Sequence, residues 1–129
     1  MTFVDTSALY ALADIRDKNH AVAKSRFQSL LTEGEELFLH NYIIVETIAL
    51  LQHRLGFPVA EQFLHDLSHF SILWIDPRLH EEVSALFVSH KKRGLSFVDC
   101  ASFVAMNQRA VKRAFAFDDD FITHGFSLT

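Results

Sequence analysis

Phe3-Val4-Asp5-Thr6-Ser7 is the stretch from which the fold of this chain can be read. Two apolar, strand-favouring residues run into a carboxylate. Two hydroxyl residues follow, and Ala8-Leu9-Tyr10-Ala11-Leu12 then takes up a helical pattern. A buried strand that ends in an acid and turns into a helix sets that acid at the carboxyl end of a strand, where open α/β sheets bind ligands. Three further acids sit in equally apolar sequence: Glu46 within Asn41–Ile48, Asp99 within Leu95–Cys100, and Asp118 after Phe115-Ala116-Phe117. A buried carboxylate without a partner costs several kcal/mol or gives up its charge, so these acids call for a common partner. The expected partner is a divalent metal ion.

Outward from this stretch, strands and helices alternate. Ala21, Ala23, Phe27, Leu30 and Leu31 recur at helical spacing and stop at Gly34. Leu37-Phe38-Leu39 reads as a strand, and Asn41 as the cap of a helix that runs to Leu55 and closes at Gly56. Pro58 opens the next helix, with Val59, Phe63, Leu64 and Leu67 on one face. Ile72-Leu73-Trp74-Ile75 reads as a buried strand, Asp76-Pro77 as the start of a helix, and Ser96–Asp99 as the start of another. Val111–Phe117 is the last strand, and residues 118–129 are expected to be a short mobile tail. No repeat, low-complexity run or linker divides the chain. The expectation is a single domain over residues 1–129, an α/β sandwich with a mainly parallel central sheet.

The totals narrow the class. At 129 residues the chain can bury a sizeable core, and 50% hydrophobic with 22% charged residues is a globular balance. A net charge of −4 does not announce nucleic-acid binding, although a local basic patch can hide within it. One cysteine, Cys100, rules out an internal disulfide and fits a reducing compartment. The N-terminus has no basic region or long apolar run, and Tyr42–Leu51 is too short and is interrupted by Glu46. A cytoplasmic protein without a membrane span is expected.

Each acid also has an ordinary structural reading. Asp5 can cap the helix that follows, unless Thr6 or Ser7 takes the cap and frees it. Glu46 has Tyr42, Ile43, Leu50 and Leu51 on its own helical face, which leaves a buried ion pair as its alternative to a ligand role. Ser96 and Asp99 have capping-box spacing, and that role is compatible with binding. Asp118-Asp119-Asp120 can be a solvated turn, though three adjacent acids repel unless a cation offsets them. Together, hard oxygen ligands without neighbouring Cys or paired His favour Mg²⁺ or Mn²⁺ over zinc and suit hydrolysis of a phosphodiester.

The ordered set resembles the PIN-domain family, in particular its small VapC-type ribonuclease toxins. The resemblance rests on Asp5-Thr6-Ser7 after an apolar strand, Asp17-Lys18-Asn19-His20-Ala21-Val22-Ala23, Glu46, Phe97-Val98-Asp99 and Phe117-Asp118-Asp119-Asp120-Phe121, and it runs the length of the chain. It implies a three-layer α/β/α sandwich and a Mg²⁺- or Mn²⁺-dependent endoribonuclease that leaves 5′-phosphate and 3′-hydroxyl ends. By the same analogy Asp5, Glu46, Asp99 and Asp118 hold the metal and orient the attacking water, with Asp120 assisting. Homodimers, and inhibition by a cognate antitoxin, are implied as well. One departure is Ala116, where the family often carries Ser or Thr two residues before the last acid, so a hydroxyl is missing there.

Other residues carry weaker signals. His65 and His69 have i, i+4 spacing but no third ligand in view. Lys91, Lys92, Arg93, Arg109, Lys112 and Arg113 are six of the twelve basic residues. They are either solvated helix ends or, beside the acids, phosphate contacts. Thr6, Ser7, Lys91, Lys92 and Arg93 are the candidate substrate contacts. Phe57, Phe63, Leu64 and Phe70 are either core or a partner surface. The expected function is that of an endoribonuclease toxin acting on RNA. A stand-alone PIN nuclease of RNA processing and a non-catalytic PIN-like binding module are the alternatives.

Overall fold

The computed structural model describes residues 1–91 and 94–129. The sequence pattern resolves into β1 (Thr2–Val4), α1 (Thr6–Ala13), α2 (His20–Thr32), β2 (Leu37–His40), α3 (Asn41–Leu55) and α4 (Phe57–Asp66). A 3₁₀ turn at Leu67–His69 leads into β3 (Ser71–Leu73), α5 (Pro77–Ser89), α6 (Phe97–Gln108), β4 (Arg113–Phe115), α7 (Asp120–Thr123) and β5 (Ser127–Leu128). The sheet order is β3-β2-β1-β4-β5 and every pairing is parallel. Strands buried on both faces carry continuous apolar runs, and Phe3, Val4, Phe38, Leu39, Ala114 and Phe115 are fully buried.

The chain adds β2 and β3 on one side of β1, then returns to its other side for β4 and β5. Right-handed crossovers therefore set α1–α4 on one face of the sheet and α5–α7 on the other. The strand order reverses between β1 and β4, and the carboxyl ends of those two strands flank the crevice such a reversal leaves. Asp5 directly follows β1, and Asp118 lies shortly after β4. The topology thus aims both acids at one place.

Three local expectations differ from the structure. His40, not Asn41, caps α3: its Nδ1 accepts from Tyr42 N and Ile43 N, each at 3.2 Å. Asn41 instead accepts from Ile75 N at 2.7 Å through Oδ1 and ties down the chain after β3. β3 ends at Leu73, and Trp74 stands 66% exposed. The expected tail forms α7 and the edge strand β5, with Phe121 and Phe126 buried in the core. The Asp76 cap of α5, accepting from Leu79 N at 2.9 Å, is as expected. On α4, Phe63 is buried while Phe57 and Leu64 are exposed.

Candidate active site

Asp5 is 6% exposed and is itself the cap of α1. Its Oδ2 accepts from Ser7 N at 3.1 Å and from the Ser7 hydroxyl at 2.6 Å. Thr6 and Ser7 do not take the cap, but Oδ1 has no protein partner among the described hydrogen bonds, so capping and binding are compatible. Ser7 Oγ also accepts from Phe117 N at 3.0 Å, and Asp5 N donates to Phe115 O at 3.0 Å. These bonds lock the end of β1 to the end of β4. Ala116 is buried and supplies no hydroxyl, so the hydroxyl bonded at this edge is that of Ser7.

Glu46 reaches the same edge from α3. The buried Thr6 and Thr47 hydroxyls are hydrogen-bonded at 3.0 Å, which pins the start of α1 to the helix turn that carries Glu46. Thr6 therefore sits inside the packing, with its hydroxyl engaged by protein. Asp99 enters from α6, across the sheet. Its backbone N–H donates to Ser96 Oγ at 3.0 Å and its Oδ2 accepts from Ser96 N at 3.2 Å, which completes a capping box. Asp118 Oδ1 accepts from Asp120 N at 2.9 Å, folding the acidic turn back on itself. Asp119 is exposed.

Carboxylate oxygens of Asp99, Asp118 and Asp120 lie within 4.8 Å of one another. Asp5 and Glu46 stand outside that distance but act on it through charge. Burial pushes the Asp5 carboxyl up from 3.8 to about 6, against the two Ser7 hydrogen bonds, and the charges of Asp99 and Glu46 add to the rise. Burial also raises Glu46; the Thr6 hydroxyl opposes this and the Asp99 charge reinforces it. Asp99 is raised by burial, despite its Ser96 bonds, with Asp118 and Asp120 adding repulsion. Asp120 is raised by desolvation and by Asp118. Among the described residues, none of these acids has a basic ion-pair partner.

The supporting frame contains a residue that the sequence reading missed. His40 is fully buried, and its Nε2 lies 3.0 Å from Ser102 Oγ, which in turn donates to Val98 O at 3.0 Å. Because Nδ1 accepts two backbone N–H groups, the proton of the neutral ring is on Nε2 and is donated to Ser102. Burial holds the imidazole down to about 3, so the ring stays neutral. One side chain thus joins the strand end before Glu46's helix to the first turns of Asp99's helix. The available signal was a polar residue closing the apolar run Leu37-Phe38-Leu39.

The basic residues divide. Arg113 pairs with Glu35, which also holds the N-terminal ammonium at 2.7 Å, and Arg109 donates to Ser71 Oγ at 3.0 Å. These contacts lie at the amino ends of the strands, away from the acids. Lys91 is exposed and follows His90, whose ring lies 5.4 Å from that of His124 just beyond α7. The end of α5 thus adjoins the segment that begins at Asp120. Lys92 and Arg93 lie outside the described residues. His65 and His69 are exposed and are not part of the acidic group.

Comparison with known proteins agrees with this architecture. A curated relative, the 23S rRNA-specific endonuclease VapC20 of Mycobacterium tuberculosis, is 33% identical over 128 residues, spanning 98% of this chain and 95% of that protein. The crystal structure of VapC20, described as a sarcin–ricin-loop-cleaving toxin, has a TM-score of 0.86 at 31% identity, covering 98% of this chain and 96% of that one. A toxin–antitoxin complex from Klebsiella pneumoniae has a TM-score of 0.71 at 16% identity, covering 100% and 96%, and bears on the fold alone. Residues 2–126 match the PIN domain family, and the chain belongs to that family.

Proposed function

We propose that this protein is a metal-dependent endoribonuclease, the toxin of a toxin–antitoxin pair, that cuts ribosomal RNA. The observation that carries the reading is the group of Asp99, Asp118 and Asp120 within 4.8 Å, joined through charge to Asp5 and Glu46, in a chain that resembles an rRNA endonuclease throughout its length. The donor chemistry fits Mg²⁺ or Mn²⁺, because every candidate ligand is a hard carboxylate oxygen and each acid raises its neighbours' affinity for positive charge. When bound, such an ion neutralises charge on a phosphodiester and makes water a nucleophile near neutral pH.

The protein's own residues set the geometry. Asp99, Asp118 and Asp120 form the ligand cluster. Asp5, held through Oδ2 by Ser7, keeps Oδ1 to orient the attacking water in line with the scissile bond. Glu46 closes the site from the opposite face of the sheet. Thr6 and Ser7 act by positioning these acids, since both hydroxyls are engaged within the protein. Lys91, with Lys92 and Arg93 beside it in sequence, attracts RNA phosphates toward a pocket that would otherwise repel them. The working environment is the cytoplasm, and among the described residues no helix is long and apolar enough to cross a membrane. A homodimer, and a cognate antitoxin that silences the site, complete the reading.

The test is incubation of the purified protein, free of any co-purified partner, with intact ribosomes, protein-free 23S rRNA and an unrelated RNA. Each is run with Mg²⁺, Mn²⁺ or EDTA, and the ends are mapped. The expected result is metal-dependent cutting at a discrete ribosomal site that leaves a 5′-phosphate. Cutting of every RNA alike would remove the ribosomal target, and no cutting in either metal would favour a binding module.

A further inference from the structure

Beside Glu46 the carboxyl edge of the sheet carries a second feature, made of rings rather than acids. Tyr42, His80 and Phe97 come from the first turns of α3, α5 and α6, three separate elements that meet at this edge. The Phe97 centroid lies 5.3 Å from that of His80 and 6.1 Å from that of Tyr42. The Tyr42 hydroxyl and His80 Nδ1 are hydrogen-bonded at 2.5 Å, which holds those two rings at 82° to each other. Together with Val45, Glu46 and Val98 they line a recess of about 420 Å³, within the range of about 300–1,000 Å³ that holds small organic ligands.

Packing alone does not account for this arrangement. His80 is exposed, Tyr42 and Phe97 are half-buried, and Val45 is 67% exposed, so the rings are ordered yet open to solvent. The recess is also continuous with the acidic group: Glu46 belongs to both, and Val98 directly precedes Asp99. The wall is apolar apart from that carboxylate and the polar edges of Tyr42 and His80, so it repels a phosphate and suits a flat neutral ring. The three rings already touch one another, so they offer a wall to stack on and not a slot to enter.

We infer that this recess is a subsite for one unpaired nucleobase of the RNA, adjacent to the phosphodiester held at the acids. The inference rests on the nuclease reading above and deepens it. Because Val98 directly precedes Asp99, a strand whose phosphate sits at Asp99, Asp118 and Asp120 passes beside the recess and can lay a neighbouring base on it. A base drawn out of its own stack recovers a stacking partner on Phe97 and His80. Such stacking tolerates any base, because every base has a π face. The subsite therefore favours RNA that is single-stranded or easily unstacked at the cut, and leaves the choice of base to contacts elsewhere.

The experiment measures kcat/KM on a single-stranded RNA with one preferred cleavage site and on copies that carry one abasic residue at each position flanking it. Wild type is compared with His80→Ala and with the conservative Phe97→Leu, and each protein is checked by thermal denaturation and sedimentation velocity. At one flanking position the abasic residue is expected to cost wild type on the order of tenfold. Either variant on intact RNA loses a similar factor, mainly in KM, and then loses nothing more on the abasic RNA, because the two changes remove the same contact. The proposal is overturned if every abasic RNA is cut like the parent, or if the two losses multiply. It is also overturned if the variants change oligomeric state without changing kcat/KM, which would make the recess a protein interface. Failure of wild type to cut any RNA would refute the nuclease reading itself and the subsite with it.

Discussion

Replacing Asp5 by Asn is expected to make the metal-free protein more stable, although it removes a residue central to the proposed chemistry. Asn has the shape of Asp and caps helices as well, so the bond from Ser7 N survives. What disappears is a charge that is 6% exposed and close enough to Asp99 and Glu46 to be repelled by both. The Asp5 carboxyl titrates at about 6 in the fold, against an ordinary value of 3.8. That gap, at about 1.4 kcal/mol per pH unit, amounts to about 3 kcal/mol. The sign follows from proton binding. Between 3.8 and about 6 the native state holds a proton that the unfolded chain has released, so stability falls as pH rises through this window and stays low above it.

His40 runs in the opposite sense over overlapping pH. It titrates at about 3 in the fold and at 6.5 when free, so stability falls as pH drops below 6.5 and the unfolded chain takes up a proton. The wild-type pH profile alone mixes the two groups; the difference between wild type and Asp5→Asn isolates Asp5. Urea unfolding in EDTA from pH 3.5 to 7.5 measures it. Asp5→Asn is expected to exceed wild type by about 3 kcal/mol at pH 7.5, and the gap should close as pH falls below 4. Adding Mn²⁺ at pH 7.5 should stabilise wild type, by about 2.7 kcal/mol at one hundred times its Kd, and should stabilise the variant less at the same concentration, because the charge of Asp5 is gone while the Asp99, Asp118 and Asp120 cluster remains. A variant less stable than wild type at pH 7.5 in EDTA would refute the claim that Asp5 is held charged against its surroundings.

Substitutions at three other residues probe the frame that carries the acids. Ser7→Ala removes the hydroxyl bond to Asp5 and the acceptor of Phe117 N. It keeps the backbone bond but loses the hydroxyl, so Asp5 should titrate above its wild-type value in carboxyl NMR, with a stability loss of about 1–2 kcal/mol. His40→Ala leaves two backbone donors and Ser102 without their buried partner, and should cost about 3 kcal/mol in urea unfolding. His40→Asn restores a cap acceptor and should recover part of that loss; equal losses in the two variants would show that the cap is not what His40 contributes. Ala110 holds a left-handed φ of 54° where Ala110 N donates to Asn107 O and Val111 N to Met106 O, a helix-ending motif that favours glycine. Ala110→Gly should therefore stabilise by about 1 kcal/mol, and a loss of stability would contradict this account of the turn.

The parts of the fold that were legible in the sequence are those governed by local pattern. The strand ending in Asp5, the Ser96–Asp99 capping box and the Asp76-Pro77 helix start each depend on neighbours in the chain, and each forms as the spacing implies. Glu46 was legible because its helical face is apolar, and the structure half-buries it. The misplaced features depend on distant partners. Asn41 ranks above His40 as a cap by intrinsic preference, but Asn41 is claimed by Ile75 and the ring of His40 finds Ser102, 62 residues away. A two-residue strand such as β5 carries no periodicity of its own; its pairing with β4 and the burial of Phe126 make it a strand. The basic residues Arg109 and Arg113 looked like neighbours of Lys91 in sequence, yet the end of α6 and the start of β4 set them at the other end of the sheet. Of the candidate site, the acids were legible individually. Their convergence follows from the reversal of strand order between β1 and β4, which no local pattern encodes.

The central claim is that acids drawn from both faces of one sheet form a single metal site that hydrolyses RNA. Its most direct test is cleavage of an end-labelled single-stranded RNA by wild type and by Asp99→Asn, in Mg²⁺, Mn²⁺ and EDTA. Asp99 is the acid common to the tight cluster and to the charge coupling with Asp5 and Glu46. The account predicts cutting in the presence of metal, none in EDTA, and none by the variant at any metal concentration that wild type uses. Cutting that persists in EDTA, or that survives in folded Asp99→Asn, would contradict it.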